Sequence, residues 1–245
     1  MNNIDPIKIS VIIVVLNGKK TIRRAIESVL CQTYEHIDLI VIDGGSTDGT
    51  ISILNEYSPS FKFYVSRKDA GIYFAMNEAL IVCDSDWHIF LGCDDVLLDC
   101  FHLCVKKMVD VSSIYYGDII RRSNGAIYDG KFNKLKLTFR NICHQAIFYP
   151  RCTTDLIYDA KYKYLADYKK NIQLIGSGLN FVYLPYVISN YNDNGSASIG
   201  DMVFSRDKSE ILKENLGALY SLAWNLREFF ANIYRYFKYK KYNSN

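Results

Sequence analysis

Residues 9–16 (Ile-Ser-Val-Ile-Ile-Val-Val-Leu) form an apolar, mostly β-branched run that ends at Asn17-Gly18. This run predicts a β-strand buried on both faces, as found in parallel sheets that are covered by helices. Apolar residues then recur at helical spacing over residues 20–30, and residues 38–42 return to strand character. The beginning of the chain therefore predicts a strand–helix–strand unit whose two strands are parallel.

The same alternation continues as far as residue 91. It predicts helices over residues 47–57 and 71–82, and strands over residues 61–65 and 87–91. Repeated alternation of this kind indicates an α/β fold with a central, mostly parallel sheet. In such folds the loops at the carboxyl ends of the strands carry the functional residues.

The pattern changes after Asp95, and the second half is predicted to be mixed rather than doubly wound. The predicted elements there are helices over residues 99–109 and 165–175 and short strands near residues 114–117 and 146–149. Residues 190–200 form a polar loop of a length that often acts as a lid. We expect one domain over residues 1–200, with halves at 1–98 and 99–200, and a helical tail over residues 201–245.

The net charge of +3 is distributed unevenly along the chain. The segment from Trp224 to the end contains five Lys and Arg residues and one Glu, so it carries +4 and the rest of the chain carries −1. A weakly acidic body argues against a nucleic-acid-binding protein.

The seven cysteines are odd in number and lie in apolar or helical stretches, so we expect them to be reduced. Cys100, His102 and Cys104 lack the paired spacing of a zinc site, which favours ordinary buried cysteines. The longest apolar run is far shorter than the ~20 residues that cross a bilayer, and residues 1–6 do not resemble a secretory signal. We therefore expect a cytoplasmic protein.

Asp43 follows the strand at residues 39–42 and opens the turn Asp-Gly-Gly-Ser-Thr-Asp. Glycines in such a turn let the backbone approach a ligand closely. A carboxylate here could accept a hydrogen bond from a base or a ribose. The alternative is a role at a helix N-terminus, where Ser46 or Thr47 would be a suitable N-cap.

Asp94 and Asp95 directly follow Ile89-Phe-Leu-Gly-Cys93, at the end of the predicted strand over residues 87–91. Two adjacent carboxylates at the end of a buried strand repel each other unless a positive charge lies beside them. Oxygen ligands select Mg²⁺ or Mn²⁺, and Mg²⁺ typically takes one or two carboxylates while substrate phosphates complete its shell. The pair therefore predicts a divalent cation and a diphosphate, and the alternative is a solvated turn before the helix at Asp99.

Asp167 lies in an apolar and aromatic segment, Tyr164-Leu-Ala-Asp-Tyr168, at the start of a predicted helix. Such surroundings favour the protonated form of a carboxyl group and suit a general base. A capping role at the start of the helix is the alternative. The two hypotheses differ in whether Asp167 lies across a pocket from Asp94 and Asp95.

Four segments together resemble family 2 of the glycosyltransferases, a large group with the GT-A fold. In family order they are residues 11–17 with Ser28 and 32–34, then residues 41–50, 69–77 and 90–95. A looser similarity continues through residues 143–145 and 165–168 to residues 195–198. The resemblance implies an inverting enzyme of the bacterial surface-polysaccharide type, whose first half binds a nucleotide-sugar and whose second half binds the acceptor.

The resemblance also implies roles for single residues on the donor side. By this carry-over Asp43 holds the uracil or other base, with the backbone near Val15 and Asn17 beside it. Asp94 would face the ribose. Asp69 and Asn77 match a stretch that lines the donor pocket, and His144 and Gln145 match a stretch near the sugar.

The remaining roles concern the reaction itself. Asp95 matches the position that binds Mn²⁺ or Mg²⁺, and Asp167 matches the catalytic base that deprotonates the acceptor hydroxyl. The sequence departs from many relatives at Phe74, where an aspartate is frequent, at Cys93, and at Ser196, which replaces a glycine. The first two changes bear on which sugar fits, and the third on the flexibility of the predicted lid.

Five apolar residues of the tail recur at helical spacing: Leu226, Phe229, Phe230, Ile233 and Phe237. Arg227, Asn232, Arg235 and Lys238 lie away from that stripe, which predicts a basic amphipathic helix. Such a helix can lie on an anionic membrane, here the inner face of the cytoplasmic membrane. It would fit an acceptor linked to polyprenyl diphosphate. The alternative is a helix that packs on the body of the enzyme or on a second subunit.

Two other functions share some of these sequence features. A sugar nucleotidyltransferase would also use a parallel sheet and a metal, but residues 17–20 (Asn-Gly-Lys-Lys) match its Gly-rich phosphate loop poorly. A scaffold that binds a nucleotide-sugar without catalysis is the second alternative. The candidate carboxylates are all present, so nothing in the sequence favours a loss of catalysis.

Overall fold

The computed structural model describes residues 6–128, 130–193 and 200–242, with the backbone alone for residues 239–242. The strands are β1 (Ile9–Val15), β2 (Ile37–Asp43), β3 (Phe63–Ser66), β4 (Trp87–Gly92), β5 (Val96–Leu97), β6 (Ile114–Arg121), β7 (Ile127–Tyr128), β8 (Ile147–Pro150) and β9 (Phe181–Tyr191). The helices are α1 (Ile22–Leu30), α2 (Thr50–Tyr57), α3 (Ile72–Val82), α4 (Phe101–Val105), α5 (Lys134–Phe139), α6 (Ala166–Gly176), α7 (Met202–Asn215) and α8 (Ala218–Tyr242).

The strands form one sheet in the order β3-β2-β1-β4-β8-β6-β9-β5, with β7 paired to β6. The pairings among β1, β2, β3 and β4 are parallel, whereas β8 pairs antiparallel with both β4 and β6. This confirms the prediction of a mostly parallel first half and a mixed second half. In register, Val15 lies beside Asp43 and Val14 beside Gly92, so β1, β2 and β4 end at one edge of the sheet.

Strand β1 is buried on both faces, as its composition predicts. Ile12 belongs to the core on one side of the sheet, and Val11 and Ile13 belong to the core on the other side. Burying a side chain of this size stabilises the fold by roughly 1.5–3 kcal/mol. The first strand therefore joins two hydrophobic cores and fixes the edge at which its loop begins.

The predicted helix over residues 47–57 begins later, at Thr50, with Gly49 as its N-cap. The side chain of Asp48 accepts hydrogen bonds from both the amide and the hydroxyl of Thr50. The N-cap predicted at Ser46 or Thr47 is therefore wrong, because an Asp-centred turn separates those residues from the helix. The predicted helix over residues 99–109 is also shorter, Phe101–Val105.

The long strand β9 was not predicted, because Pro185 lies in its middle and prolines are rare inside strands. The register between β6 and β9 shifts at this point, and three residues of β9 (Leu184–Tyr186) lie opposite Gly117. A Cβ atom on Gly117 would lie 2.5 Å from the carbonyl oxygen of Tyr186. Proline fits here because a bulge interrupts the ladder, and glycine fits because the bulge brings the two backbones together.

The sheet and both hydrophobic cores continue across residue 98, so the expected halves share one interior. Helix α7 also contributes buried residues, among them Phe204 and Leu212, to one core. Of the loop predicted at residues 190–200, Asn190 and Tyr191 belong to β9, and residues 194–199, which include Ser196 and Ser198, lie outside the described residues.

Helix α8 contacts α5 and α7. The Trp224 ring lies 6.5 Å from the Phe139 ring and 3.7 Å from the Lys208 ammonium, measured to the Trp224 centroid. Leu226, Phe229 and Phe230 are about half exposed or more. The apolar stripe therefore does not pack on the described body of the protein. None of the described helices combines the length and the hydropathy that a bilayer-crossing segment requires.

Candidate active site

A cavity of about 1030 Å³ opens at the carboxyl ends of β1 and β4. This volume is at the upper end of typical small-molecule sites. Seven of the predicted site residues line it: Val15, Asn17, Asp69, Asp94, Asp95, His144 and Gln145. The other three, Asp43, Asn77 and Asp167, are not among its lining residues.

Asp95 is 1% exposed, and its two carboxylate oxygens accept hydrogen bonds from different elements. Gln145 Nε2 donates to Oδ2 over 2.9 Å, and the backbone amide of Asn192 donates to Oδ1 over 2.7 Å. The side chain of Asn192 donates to Asp94 Oδ2 over 2.7 Å. A side chain on residue 92 would collide with the Asp95 carboxylate, so Gly92 is what allows this carboxylate to fold back against β4.

Burial raises the pKa of Asp95, and the neighbouring charge of Asp94 raises it further, against the lowering effect of the two hydrogen bonds. No ion pair joins a cation to either carboxylate within the described residues. Arg122 and Arg24 instead donate to the backbone carbonyl of Asp94, over 2.8 and 3.4 Å. Neither carboxylate therefore has an ion-pair partner in the described part of the chain.

This donor set fits a divalent cation that is shared with a substrate. The described residues contain no group of three or more His, Cys, Asp or Glu side chains that could hold a metal by themselves. Mg²⁺ and Mn²⁺ take oxygen ligands, and Mg²⁺ commonly keeps few protein ligands while phosphates and waters complete its shell. A buried carboxylate beside a second one, open to a large cavity, matches that requirement.

Asp43 is fully buried and holds its own turn together. Its Oδ2 accepts hydrogen bonds from the amides of Gly45 and Ser46 and from the Ser66 hydroxyl, and its Oδ1 accepts from the Ser46 hydroxyl over 2.5 Å. The structure thus places Asp43 beneath the cavity rather than on its wall. Contact between this carboxylate and a base stays a prediction.

The loop after β1 is held against this turn. Asn17 has a positive φ of 55°, which asparagine tolerates better than most residues. Its amide donates to Ser46 Oγ over 2.7 Å, and its side-chain oxygen accepts from the Thr47 amide over 2.9 Å. The carbonyl of Val15 accepts from the Gly44 amide over 2.9 Å. Asp43 therefore shapes the cavity wall through Asn17 and Val15.

Asp69 and Asn77 have different positions although both come from one predicted motif. Asp69 lines the cavity and accepts a hydrogen bond from the Gly71 amide before α3. Asn77 exchanges two hydrogen bonds with the backbone of Tyr158, over 2.8 and 2.7 Å. Asn77 therefore connects α3 to the segment before α6 and does not line the cavity.

Asp167 lies in the first turn of α6 and is 6% exposed. Its Oδ1 accepts from the Tyr73 hydroxyl over 3.1 Å, and its Oδ2 accepts from Asn141 Nδ2 over 2.7 Å. His144 Nδ1 lies 3.2 Å from the same Oδ2. These side-chain partners come from outside α6, and no side-chain hydrogen bond caps that helix, so the capping alternative for Asp167 is not supported.

The short 3₁₀ helix His144–Ala146 joins the two acidic centres. Gln145 contacts Asp95 and the adjacent His144 contacts Asp167. The Cys143 thiol donates to Gln145 Oε1 over 2.7 Å, which orients the amide so that its nitrogen faces Asp95. One turn of backbone therefore sets the relative position of Asp95 and Asp167.

Sequence reasoning missed three residues that hold these carboxylates: Tyr73, Asn141 and Asn192. Tyr73 lies within the motif at residues 69–77, and Asn192 immediately follows β9, so both were near a recognised signal. Asn141 lies in a loop before the 144–146 helix, and no local pattern marks it.

Comparisons with known proteins identify the family of the chain. The sequence profile of the family described as "Glycosyl transferase family 2" matches residues 10–165. A "PGL/p-HBAD biosynthesis glycosyltransferase" of Mycobacterium bovis (strain BCG / Pasteur 1173P2) is 36% identical over 200 residues, which are 77% of this chain and 78% of that protein.

Two solved structures show a similar fold. Staphylococcus aureus TarS 1-349 in complex with UDP-GlcNAc has a TM-score of 0.69 at 15% identity, over 84% of this chain and 65% of that one. The mannosyltransferase PcManGT from Pyrobaculum calidifontis, in complex with GDP-Man and Mn²⁺, has a TM-score of 0.64 at 15% identity, over 92% and 67%. With a family profile that covers more than half of its length, the chain belongs to glycosyl transferase family 2 and is a glycosyltransferase with the GT-A fold.

Proposed function

We propose that this enzyme transfers a sugar, with inversion, from a UDP-sugar to a hydroxyl group of a lipid-linked glycan in bacterial surface-polysaccharide assembly. One observation carries the proposal: the 144–146 helix connects a buried carboxylate suited to a cation, Asp95, with a second carboxylate suited to a base, Asp167. Residues 1–98 would bind the donor, residues 99–200 the acceptor and residues 201–245 the membrane.

The donor side of the cavity suits a nucleoside diphosphate. Lys20 and Lys163 line the cavity together with Asp94 and Asp95, so positive side chains are available to phosphate oxygens. Asp95 would hold Mn²⁺ or Mg²⁺, which neutralises charge on the departing diphosphate when it is bound. TarS and PcManGT were solved with a UDP-sugar and a GDP-sugar, which supports a nucleotide-sugar donor for this chain.

The acceptor side supplies the base. The acceptor oxygen forms a bond to the anomeric carbon while the bond from that carbon to the diphosphate oxygen breaks. The leaving nucleoside diphosphate takes the electron pair, and the base built around Asp167 takes the hydroxyl proton. A single displacement of this kind inverts the configuration of the anomeric carbon.

Asp95→Asn tests the metal role. We expect it to abolish Mn²⁺-dependent transfer, because the amide cannot replace the charge of a buried carboxylate ligand. The assay is a screen of UDP- and GDP-sugars for turnover and for thermal stabilisation, with Mn²⁺, with Mg²⁺ and with EDTA. Asp84→Asn, at an exposed position after α3, is the matched control.

The outcomes of this screen separate the candidate functions. Full activity of Asp95→Asn, or full activity of the wild type in EDTA, would contradict the proposal. Donor binding without any transfer would favour the scaffold. Formation of a nucleotide-sugar from a sugar phosphate and a nucleoside triphosphate would favour the nucleotidyltransferase.

The membrane role rests on the outward face of α8. At 3.6 residues per turn, the exposed apolar side chains fall within a sector of about 160°, and Trp224 lies outside it. These side chains are Leu219, Leu222, Leu226, Phe229, Phe230, Ile233, Tyr234, Tyr236 and Phe237. Arg227 and Lys238 lie about 20–40° beyond one edge of the sector, where they suit anionic headgroups, and Arg235 lies on the opposite side of the helix.

Replacing Phe229 and Phe230 by serine should remove binding to phosphatidylglycerol vesicles, because both rings are more than half exposed on the apolar sector. Co-sedimentation with these vesicles measures the effect, and Ile81→Ser, at an 84% exposed position of α3, is the control. Unchanged sedimentation of the double variant would contradict the membrane role. Loss of a dimer in the same variant would instead assign this face to a second copy of the chain.

A further inference from the structure

His144 and Asp167 differ in their access to the cavity. The His144 side chain is 22% exposed and lines the cavity, whereas the Asp167 side chain is 8% exposed and is not among the lining residues. The imidazole therefore stands between the carboxylate and the space in which an acceptor would bind.

The Asp167 carboxylate is already surrounded by donors. Tyr73 and Asn141 donate to its two oxygens, and His144 Nδ1 lies within hydrogen-bond distance of Oδ2. Burial raises the pKa of Tyr73 well above its usual value, so its hydroxyl remains a donor to Asp167. Three of the about four acceptor sites of this carboxylate are therefore taken by groups of the protein, and the carboxylate is not among the lining residues of the cavity.

His144 is oriented as a relay would require. Its Nδ1 faces Asp167, and Nε2 has no hydrogen-bond partner within the described ranges. An imidazole that donates Nδ1–H to a carboxylate presents the lone pair of Nε2 to its other side. Gln145, the next residue, is fixed on Asp95, which limits how far the imidazole can move.

We propose that His144 is the catalytic residue that receives the acceptor proton and that Asp167 is the positioning residue behind it. This inference rests on the proposed transfer reaction. The acceptor O–H bond breaks as its oxygen bonds to the anomeric carbon, and the proton moves to Nε2. Asp167 keeps the proton on Nδ1 and stabilises the imidazolium that forms, as carboxylates do in other His–Asp pairs.

Several charged or titratable groups contact the imidazole or share its cavity. Asp95 is near enough for its pKa to respond to charge on His144. Cys143 precedes His144, and the cavity wall adds further groups from α3, β9 and the loops: Tyr73, Tyr191, Asp94, Lys20 and Lys163.

Removing either member of the pair should have the same effect as removing both. We expect His144→Ala and Asp167→Asn each to lower kcat by about 10²–10⁴-fold. The double variant should be no slower than the slower single variant, because the pair acts as a unit. The exposed pair His102 and Asp99, whose Nδ1 and Oδ1 are 3.9 Å apart, provides the matched controls His102→Ala and Asp99→Asn.

Added imidazole distinguishes proton transfer from a structural role. It should restore part of kcat in His144→Ala and none in Asp167→Asn. The acidic fall of kcat that reports protonation of a histidine should be present in the wild type and absent from His144→Ala. Lack of rescue together with an unchanged pH profile would overturn the proposal, because His144 would then act by packing alone.

Two further outcomes would also overturn it. Near-normal kcat in His144→Ala with complete loss in Asp167→Asn would mean that the carboxylate takes the proton itself. Recovery of His144→Ala at high Mn²⁺ would make His144 a metal ligand.

Thermal stabilisation by UDP with Mn²⁺ separates failure of this inference from failure of the proposed function. Equal stabilisation of the wild type and of His144→Ala leaves the donor site intact, so the kinetic results judge the inference alone. No stabilisation of the wild type by any nucleotide or nucleotide-sugar would overturn the proposed function and this inference with it.

Discussion

Lys170 is a buried lysine whose ammonium group has no hydrogen-bond partner among the described residues. It is 1% exposed and lies 4.4 Å from the centroid of the Tyr158 ring. Burial lowers its pKa from 10.5 to about 7. The folded protein therefore holds this side chain in a setting that favours the neutral amine.

The shift makes stability depend on pH in a definite direction. Between pH 7 and pH 10.5 the unfolded chain binds the Lys170 proton and the folded chain releases it. Stability therefore rises with pH across this window, and the full cost of charging the buried amine is felt below pH 7. Lys208, whose pKa burial also lowers to about 7, adds to the same trend.

Lys170→Met should remove this cost. We expect the free energy of unfolding at pH 7 to increase by about 1–3 kcal/mol, since an apolar side chain replaces a buried amine that has no hydrogen-bond partner among the described residues. Urea unfolding at pH 7 and at pH 9.5 measures it, and the gain should shrink at the higher pH. Lys169→Met, which breaks a 2.7 Å ion pair with Asp159 closer to the surface, should change stability by less than about 1 kcal/mol. A loss of stability in Lys170→Met would contradict this account.

Helix α8 is attached to the body by one of its faces and leaves the opposite face open. Trp224 stacks over the buried ammonium of Lys208, and Lys208 Nζ donates to the Tyr168 hydroxyl over 3.0 Å. Tyr168 adjoins Asp167 in α6, so the attachment of α8 extends to the helix that carries the candidate site.

Trp224→Ala should loosen α8. We expect a loss of roughly 2–4 kcal/mol in stability, because a large ring and its contact with a buried cation are removed together. Phe230→Ala, at a 64% exposed position of the same helix, should change stability by less than about 0.5 kcal/mol. Urea unfolding of the two variants side by side tests the assignment of the faces. Equal effects would mean that the two faces had been assigned wrongly.

The first half of the fold could be predicted element by element because its strands are buried on both faces and its helices have clear apolar periods. Strand β9 was missed because Pro185 interrupts its pattern, and only the bulge opposite Gly117 makes that proline acceptable. The start of α2 was misplaced because the turn at Asp48 competes with helix initiation at the same residues.

The acidic residues at the strand ends could be predicted from the sequence, whereas the residues that hydrogen-bond to the carboxylates could not. Asp94 and Asp95 follow a recognisable strand, and Asp69 lies in a recognisable motif. The contact of Asn192 with Asp95 spans 97 residues, and that of Tyr73 with Asp167 spans 94. Contacts over such separations depend on how the sheet and helices pack, which no local period encodes.

At the scale of the whole molecule, charge is separated between residues 1–223, of net −1, and residues 224–245, of net +4. If α8 binds an anionic surface, attraction to the headgroups adds to burial of the aromatic side chains. Raising the NaCl concentration from about 50 to about 500 mM should weaken binding to phosphatidylglycerol vesicles several-fold without abolishing it. Salt screens the attraction between the charges but leaves the apolar contact intact. Vesicle co-sedimentation over a salt series measures this. Binding that does not change with salt would contradict the role given to Arg227 and Lys238.

The common sheet has a consequence for any attempt to divide this enzyme. Strand β4 pairs with β8, and β5 pairs with β9, so a cut at residue 98 would break both pairings. Each fragment would expose an unpaired strand edge and parts of both hydrophobic cores. Exposed strand edges and apolar surfaces are common causes of self-association. We therefore expect residues 1–98, when separated from the rest of the chain, to self-associate rather than to fold as an independent unit.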